Sequence, residues 1–276
     1  MVAHTSPPLP HPMKSTLCLC LGLFLAPVFS ASAQTVTAFW TTINPGAMSA
    51  EGTLGPVIIT ATQLGSPGTF SGDLSGPDYS GAPLSATQGC LEHNGGSDFR
   101  FTLSRPITGL MLYVVFWRSD SYAFDQPFTI LSGLASGVSV AGNTLTTTTG
   151  FSHGIIRFDA PISILNCVSA SAVAAAQSTT LAVIPETTVA VDGGRLLRTS
   201  RPSIKLKGDT SATFSVDRVL IKEQGKRSKP AKLSSDGTRW SARLRPATDR
   251  TRVKVTAFGL DGSGLPAVTK VTLVRE

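Results

Sequence analysis

Residues 98–118 (DFRFTLSRPITGLMLYVVFWR) carry the strongest pattern in the chain. Phe99, Phe101 and Leu103 alternate with Arg100 and Thr102, the period of a strand with one face in water. Ser104-Arg105-Pro106 break the pattern, since proline has no amide to give to a ladder. From Ile107 to Trp117 both alternating sets are apolar: Leu110, Leu112, Val114 and Phe116 on one side, Met111, Tyr113, Val115 and Trp117 on the other. A strand apolar on both faces is central, with one face on the core and the other covered by a loop or a partner. The run is too short for a membrane helix.

The phrase returns further on. Arg157-Phe158 followed by Pro161-Ile162 echoes Arg100-Phe101 followed by Pro106-Ile107. Either these are two similar corners of one sandwich or two unrelated Pro-kinked strands. Around them, residues 35–43, 52–62, 127–132, 136–141, 143–149, 153–158, 162–168 and 179–184 read as short strands, and 65–86 and 169–177 as loops. About ten short strands over about 150 residues predict an all-β, jelly-roll-like β-sandwich across residues 34–184. After a linker-like Ile184-Pro185-Glu186, seven strands and an eighth at 267–275 predict a smaller sandwich across 185–276.

Two resemblances rest on these phrases. GTLGPVIITAT, FRFTLSRPITGLMLYV and GIIRFDAPISILNCVS look like β-sandwich modules of exported bacterial surface proteins, over roughly residues 35–184. Asp236-Gly237-Thr238-Arg239-Trp240-Ser241-Ala242, with residues 253–261 before Gly262, resembles bacterial immunoglobulin-like modules. The resemblance implies display at a cell surface and brings no catalytic residues with it.

The N-terminus reads as a signal peptide, residues 1–33. Met13-Lys14 gives a positive start, 17–29 an apolar stretch, and Ala31-Ser32-Ala33 a cleavage site, so the mature chain is expected to begin at Gln34, with Met13 as the true start. Cys90 and Cys167 are the cysteines of the mature chain, and in an exported protein one disulfide between them is the simple expectation; two buried thiols are the alternative. The net charge of +7 hides a step: residues 34–185 hold four basic and eight acidic residues, and 186–276 hold 19 basic and nine acidic. Such a step marks a domain boundary and an anionic partner for the second part.

The chemistry on offer is sparse. His93 lies in a polar loop, EHNGGSD, and His153 opens a strand; neither has a nucleophile motif nearby. A calcium site of loop carboxylates would sit at Asp73 with Asp78 or at Asp120 with Asp125, but neither pair has the ligand density calcium prefers, so no metal and no cofactor are expected. The loop 118–127 (RSDSYAFDQP) offers Arg118, Asp120, Tyr122, Phe124 and Asp125, rings to stack on a sugar and charges to bond its hydroxyls; the alternative is that the rings cap the core and the carboxylates shape turns. In the second part, Arg239, Arg243 and Arg245 share one side of a strand opposite Trp240, Ala242 and Leu244. Arg250, Arg252 and Lys254 do the same beside Val253 and Val255, and Lys222, Lys226, Arg227, Lys229 and Lys232 form a basic hairpin. These form a cationic face for a polysaccharide or other anionic cell-surface polymer, or a solvated strand face that resists aggregation. Nucleic acid is disfavoured, because no aromatic residues interleave with the basic ones. The sequence therefore points to an exported, non-enzymatic binding or display protein of the cell surface or matrix, with a glycan as candidate ligand and no transmembrane segment. The alternatives are an extracellular hydrolase with an unrecognised carboxylate pair among Glu92, Asp120 and Asp125, and a purely structural envelope component.

Overall fold

The computed structural model describes residues 35–276 apart from 85–87, 95, 119, 135–137, 148–149, 171–175, 247 and 261–264. The expected signal peptide, residues 171–175 of the expected loop 169–177, and residues 261 and 262 of the immunoglobulin-like phrase lie outside the described residues. What is described is two β-sandwiches, with short 3-10 turns as the helical pieces.

The first sandwich is organised by β7 (Leu110–Arg118), which pairs antiparallel with β12 (Phe151–Phe158) and β14 (Ala176–Val183). β9 (Thr129–Gly133) extends that sheet beyond β12. On the far edge β14 pairs first with β5 (Gln88–Asn94), which carries β4 (Gly68–Gly72), and then with the start of β1 (Val36–Asn44). β1 turns the corner: Val36 and Thr37 pair with β14, and Ala38 onwards pairs with β2 (Ser49–Leu54) in the opposite layer. That layer continues through β3 (Val57–Thr62), β6 (Phe99–Ile107), β13 (Ile162–Ser169), β8 (Ser121–Phe124), β11 (Thr144–Thr147) and β10 (Val138–Ala141). The repeated phrase now has a place. β6 leads into β7 and β12 into β13, each crossing between layers, while β6 pairs with β13 and β7 with β12. The two Pro-containing segments are neighbouring corners run in opposite directions. β6 itself runs unbroken through Pro106, and its ladder with β13 shifts register there.

Both faces of β7 are buried, as its composition requires. Leu110, Leu112 and Val114 point into the sandwich with Phe99, Phe101, Phe158 and Leu181. Met111, Tyr113 and Val115 point outward, under a lid made by Leu74, Tyr79 and Ala82 of the loop after β4. Strict alternation would then send Trp117 outward with them. Instead Phe116 takes a left-handed backbone (φ 59°) where β7 and β12 slip register, and Trp117 turns inward, buried, with its indole N–H on the Ser178 carbonyl at 3.2 Å. Phe116 lies outside, edge-on to Phe70, Phe151 and His153. A bulge re-aims a side chain in this way by inserting one residue into the ladder.

The second sandwich packs β15 (Thr187–Val189), β17 (Ile204–Ala212), β21 (Arg239–Leu244) and β20 (Lys232–Leu233) against β16 (Leu196–Thr199), β23 (Ala267–Arg275), β22 (Arg250–Gly259), β18 (Val216–Glu223) and β19 (Lys229–Pro230). Leu206, Val219, Ile221, Trp240, Leu244, Val253, Val255 and Leu273 fill its core. Trp240 anchors it: the indole donates to Ala190 O at 3.1 Å and lies on Gly208, where a Cβ would stand 1.9 Å from that same oxygen. Glycine is required there by the close approach of another backbone.

Strands before and after residue 184 pair within their own group. The junction is short and pinned. Pro185 is buried, and Glu186 exchanges two hydrogen bonds with Thr213, amide to hydroxyl and amide to carbonyl, each 2.9 Å. The next residue, Phe214, inserts its ring into the core of the first sandwich, against Gly55 and under the Arg105 guanidinium at 5.9 Å. The linker-like reading of 184–186 is thereby corrected to a fastened one.

Two predictions follow from this packing. Phe214→Ala removes the ring that fastens the sandwiches, so limited proteolysis of the variant cuts first at 184–186, where the wild type resists; an unchanged cleavage pattern contradicts the fastening role. His93 is buried against Phe99 and Trp117, and burial pushes its imidazole down to about 4. Above the unfolded value of about 6.5 both states are neutral; below it the unfolded chain takes up a proton that the folded chain refuses until about 4, a loss of roughly 3 kcal/mol across that window. Urea unfolding of wild type and His93→Leu between pH 7 and 4 checks this, the variant showing the shallower decline; parallel curves contradict it.

Candidate functional site

The stretch 118–127 is a strand with ends, and its rings are interior. Ser121-Tyr122-Ala123-Phe124 forms β8 between β13 and β11, so the Tyr/Phe parity faces the core. Tyr122 is 1% and Phe124 4% exposed. The Tyr122 ring lies 4.1 Å from Trp117 and its oxygen accepts from Gln177 Nε2, while Phe124 stacks parallel to Trp117 and meets Phe128 and Phe158 edge-on. Asp120 is buried, accepting from the Ser121 amide at 2.6 Å and from the Ser169 hydroxyl. Asp125 is exposed and bonds the Asn166 amide at 3.0 Å and its side chain. Arg118 is exposed and lies over Phe151 at 5.2 Å. The expected sugar platform is corrected: two strands flank β8, so its aromatic side has only the core to face, and its carboxylates tie strand ends.

The expected disulfide is corrected as well. Cys90 and Cys167 are both free and buried. Cys90, on β5, faces the outer lid with Leu74, Tyr79 and Tyr113; Cys167, on β13, faces the sandwich interior beside Phe99 and Phe124. Two thiols in different layers do not bridge. Burial pushes Cys90 up to about 12 and Cys167 well above the ordinary range, so neither is a reactive thiolate. His153 rests on Phe116 with its Nδ1 3.3 Å from the Tyr79 hydroxyl, and Asp73 turns its carboxylate onto the Ser75 amide and hydroxyl.

The basic residues of the second sandwich are outside, as alternation requires, but the structure divides them. β21 and β22 belong to different sheets, so Arg239 and Arg243 lie on one outer face and Arg252 and Lys254 on the other. Arg239 is engaged, with Asp209 at 2.6 Å and Asp192 at 3.0 Å. Arg243 stands opposite Lys205 on β17. Arg243 and Arg245 also line a shallow recess whose lysines converge on a buried carboxylate: Lys226 and Lys229 reach Glu223 at 2.8 and 3.2 Å. Burial pushes Glu223 up, yet the two lysines more than offset this and hold it below its usual range.

The outer face of the five-stranded sheet differs. In register, Lys222 of β18 stands opposite Lys254 of β22, and Lys254 stands opposite Lys270 of β23. Three lysines thus form a row across three adjacent strands. Arg252 comes next along β22, opposite Thr272, and a shallow trough of about 660 Å³ runs over these residues and Gln224. Among the described residues, none of the four cations pairs with a carboxylate. Sequence reasoning placed Lys222 in a hairpin and missed Lys270. Alternation in VTKVTLV sends Lys270 outward, opposite in parity to Val271 and Leu273; only register shows that it joins the other two.

No family model and no curated protein matches the chain. Among solved structures it is similar to the crystal structure of the N-terminal domain of the Streptococcus gordonii adhesin Sgo0707, at 9% identity and a TM-score of 0.29, over 88% of this chain and 82% of that one. At that distance the likeness carries no argument about function.

Proposed function

We propose that the chain is an exported, non-enzymatic binding or display protein of the cell surface or matrix, with residues 34–184 and 185–276 as its two domains and the second as the part that holds an anionic polymer. The observation that supports this is the segregation of charge. The first part carries twice as many acidic as basic residues and the second carries 19 basic residues against nine acidic, with cations that have no carboxylate partner among the described residues gathered on its outer sheet faces. Attraction to an anionic surface through such a face is long-ranged at low salt and screened within about 10 Å at 0.1 M. Of the three carboxylates considered for a hydrolase, Asp120 and Asp125 are committed to strand ends and Glu92 lies within β5, between β14 and β4, which favours binding over hydrolysis.

The mature chain is therefore expected to be retained on immobilised acidic polysaccharide at low salt, to elute as salt rises, to pass through a neutral dextran column, and to release no reducing ends. Free passage over the acidic matrix at low salt contradicts the proposal, as does release of reducing ends.

A further inference from the structure

Resting on that reading, we infer that the site is the row Lys222–Lys254–Lys270 with Arg252, and that its ligand is an extended acidic polysaccharide lying across the strands, with successive carboxylates over successive lysines. Neighbouring strands stand about 4.8 Å apart, so cross-strand register repeats a cation at about that interval in a straight line. Like charges directly opposite each other weaken a sheet. Here two such oppositions are placed side by side, Lys222 with Lys254 and Lys254 with Lys270. An anionic chain laid along the row turns both repulsions into attraction at once. A single small anion relieves only one.

The other basic surfaces lack this arrangement. On the four-stranded sheet, Lys205 faces Arg243, but the next row is Lys207, Ser241 and Lys232, interrupted by the serine, and the row after that is the Asp209–Arg239 pair. Around Glu223 the lysines already have their carboxylate. The chemistry of the row also narrows the ligand. Lysine ammonium groups are point charges without the planar fork of arginine, so the row reads spacing and density of charge, with Arg252 at its flank as the group able to clasp one carboxylate in two bonds. The trough passes over the backbone of Val253 and Val271, whose side chains face the core, with the side chains of Gln224 and Thr272 beside the cations. Sugar hydroxyls fit such a polar lining, and among the described residues no aromatic side chain lines it for nucleobases to stack on.

The test uses the full mature chain on immobilised polygalacturonate, with Lys254→Gln and Lys270→Gln as row variants and Lys205→Gln and Lys232→Gln as controls on the other face. All four positions lie on outer strand faces, and cooperative unfolding confirms that each variant is folded. Each row variant is expected to weaken binding roughly fivefold and to lower the salt slope by about one, with the controls unchanged. Monomeric galacturonate at equal carboxylate concentration is expected not to compete. Loss in the controls with binding intact in the row variants moves the site to the other face and overturns the inference while leaving the proposed function standing. Equal competition by the monomer overturns the extended ligand, and tighter binding to anionic vesicles or single-stranded nucleic acid overturns the polysaccharide. Absence of binding by the wild type sinks the proposed function along with the inference.

Discussion

Strand β7 has no face left for water, and the first sandwich is arranged to meet that demand. Its inner side chains close the space between the two layers, and its outer side chains need the lid of Leu74, Tyr79 and Ala82. The pleat alone would carry Trp117 to the lid side. The left-handed Phe116 changes that, placing the indole among Phe99, Tyr122 and Phe124 with a partner for its N–H. A bulky residue in that backbone region costs about 1–3 kcal/mol, an amount that burial of a tryptophan with its hydrogen bond offsets. Once Trp117 is inside, β8 must present Tyr122 and Phe124 to it, which is why the aromatic residues of 118–127 serve the core.

The second sandwich obeys the same alternation with the opposite chemical result. Trp240, Val253, Val255 and Leu273 are drawn inward, and every second residue is left in water. Because so many of those are lysine and arginine, register decides which cations meet carboxylates and which meet each other. Arg239 meets Asp209; Lys254 meets Lys222 and Lys270. The sandwiches do not act as loose beads, since Phe214 and the Glu186–Thr213 bonds fasten the second to the core of the first.

Much of this was legible in the residues. The period-two runs gave the all-β class and the doubly apolar run gave the central strand and its cover. The paired Arg-Phe…Pro-Ile phrases left two similar corners and two unrelated strands both open until the β6–β13 and β7–β12 ladders showed the corners to be neighbours. What was hidden depends on pairing between distant strands. Cys90 and Cys167 look like a bridge until their strands are assigned to different layers. Tyr122 and Phe124 look like a loop platform until β8 is seen between β13 and β11. Phe116 carries no sequence sign of a left-handed backbone, because phenylalanine rarely adopts one. Lys270 is an ordinary outward lysine until β23 is set in register against β22.

The lysine row is the central claim, and its most direct test is energetic. In a double-mutant cycle of Lys254→Gln and Lys270→Gln, each substitution should raise stability at low salt, and the two together should gain less than their sum, because either one removes the shared repulsion. The coupling should shrink as salt is added. Strictly additive effects with no salt dependence would contradict the register that sets these lysines side by side.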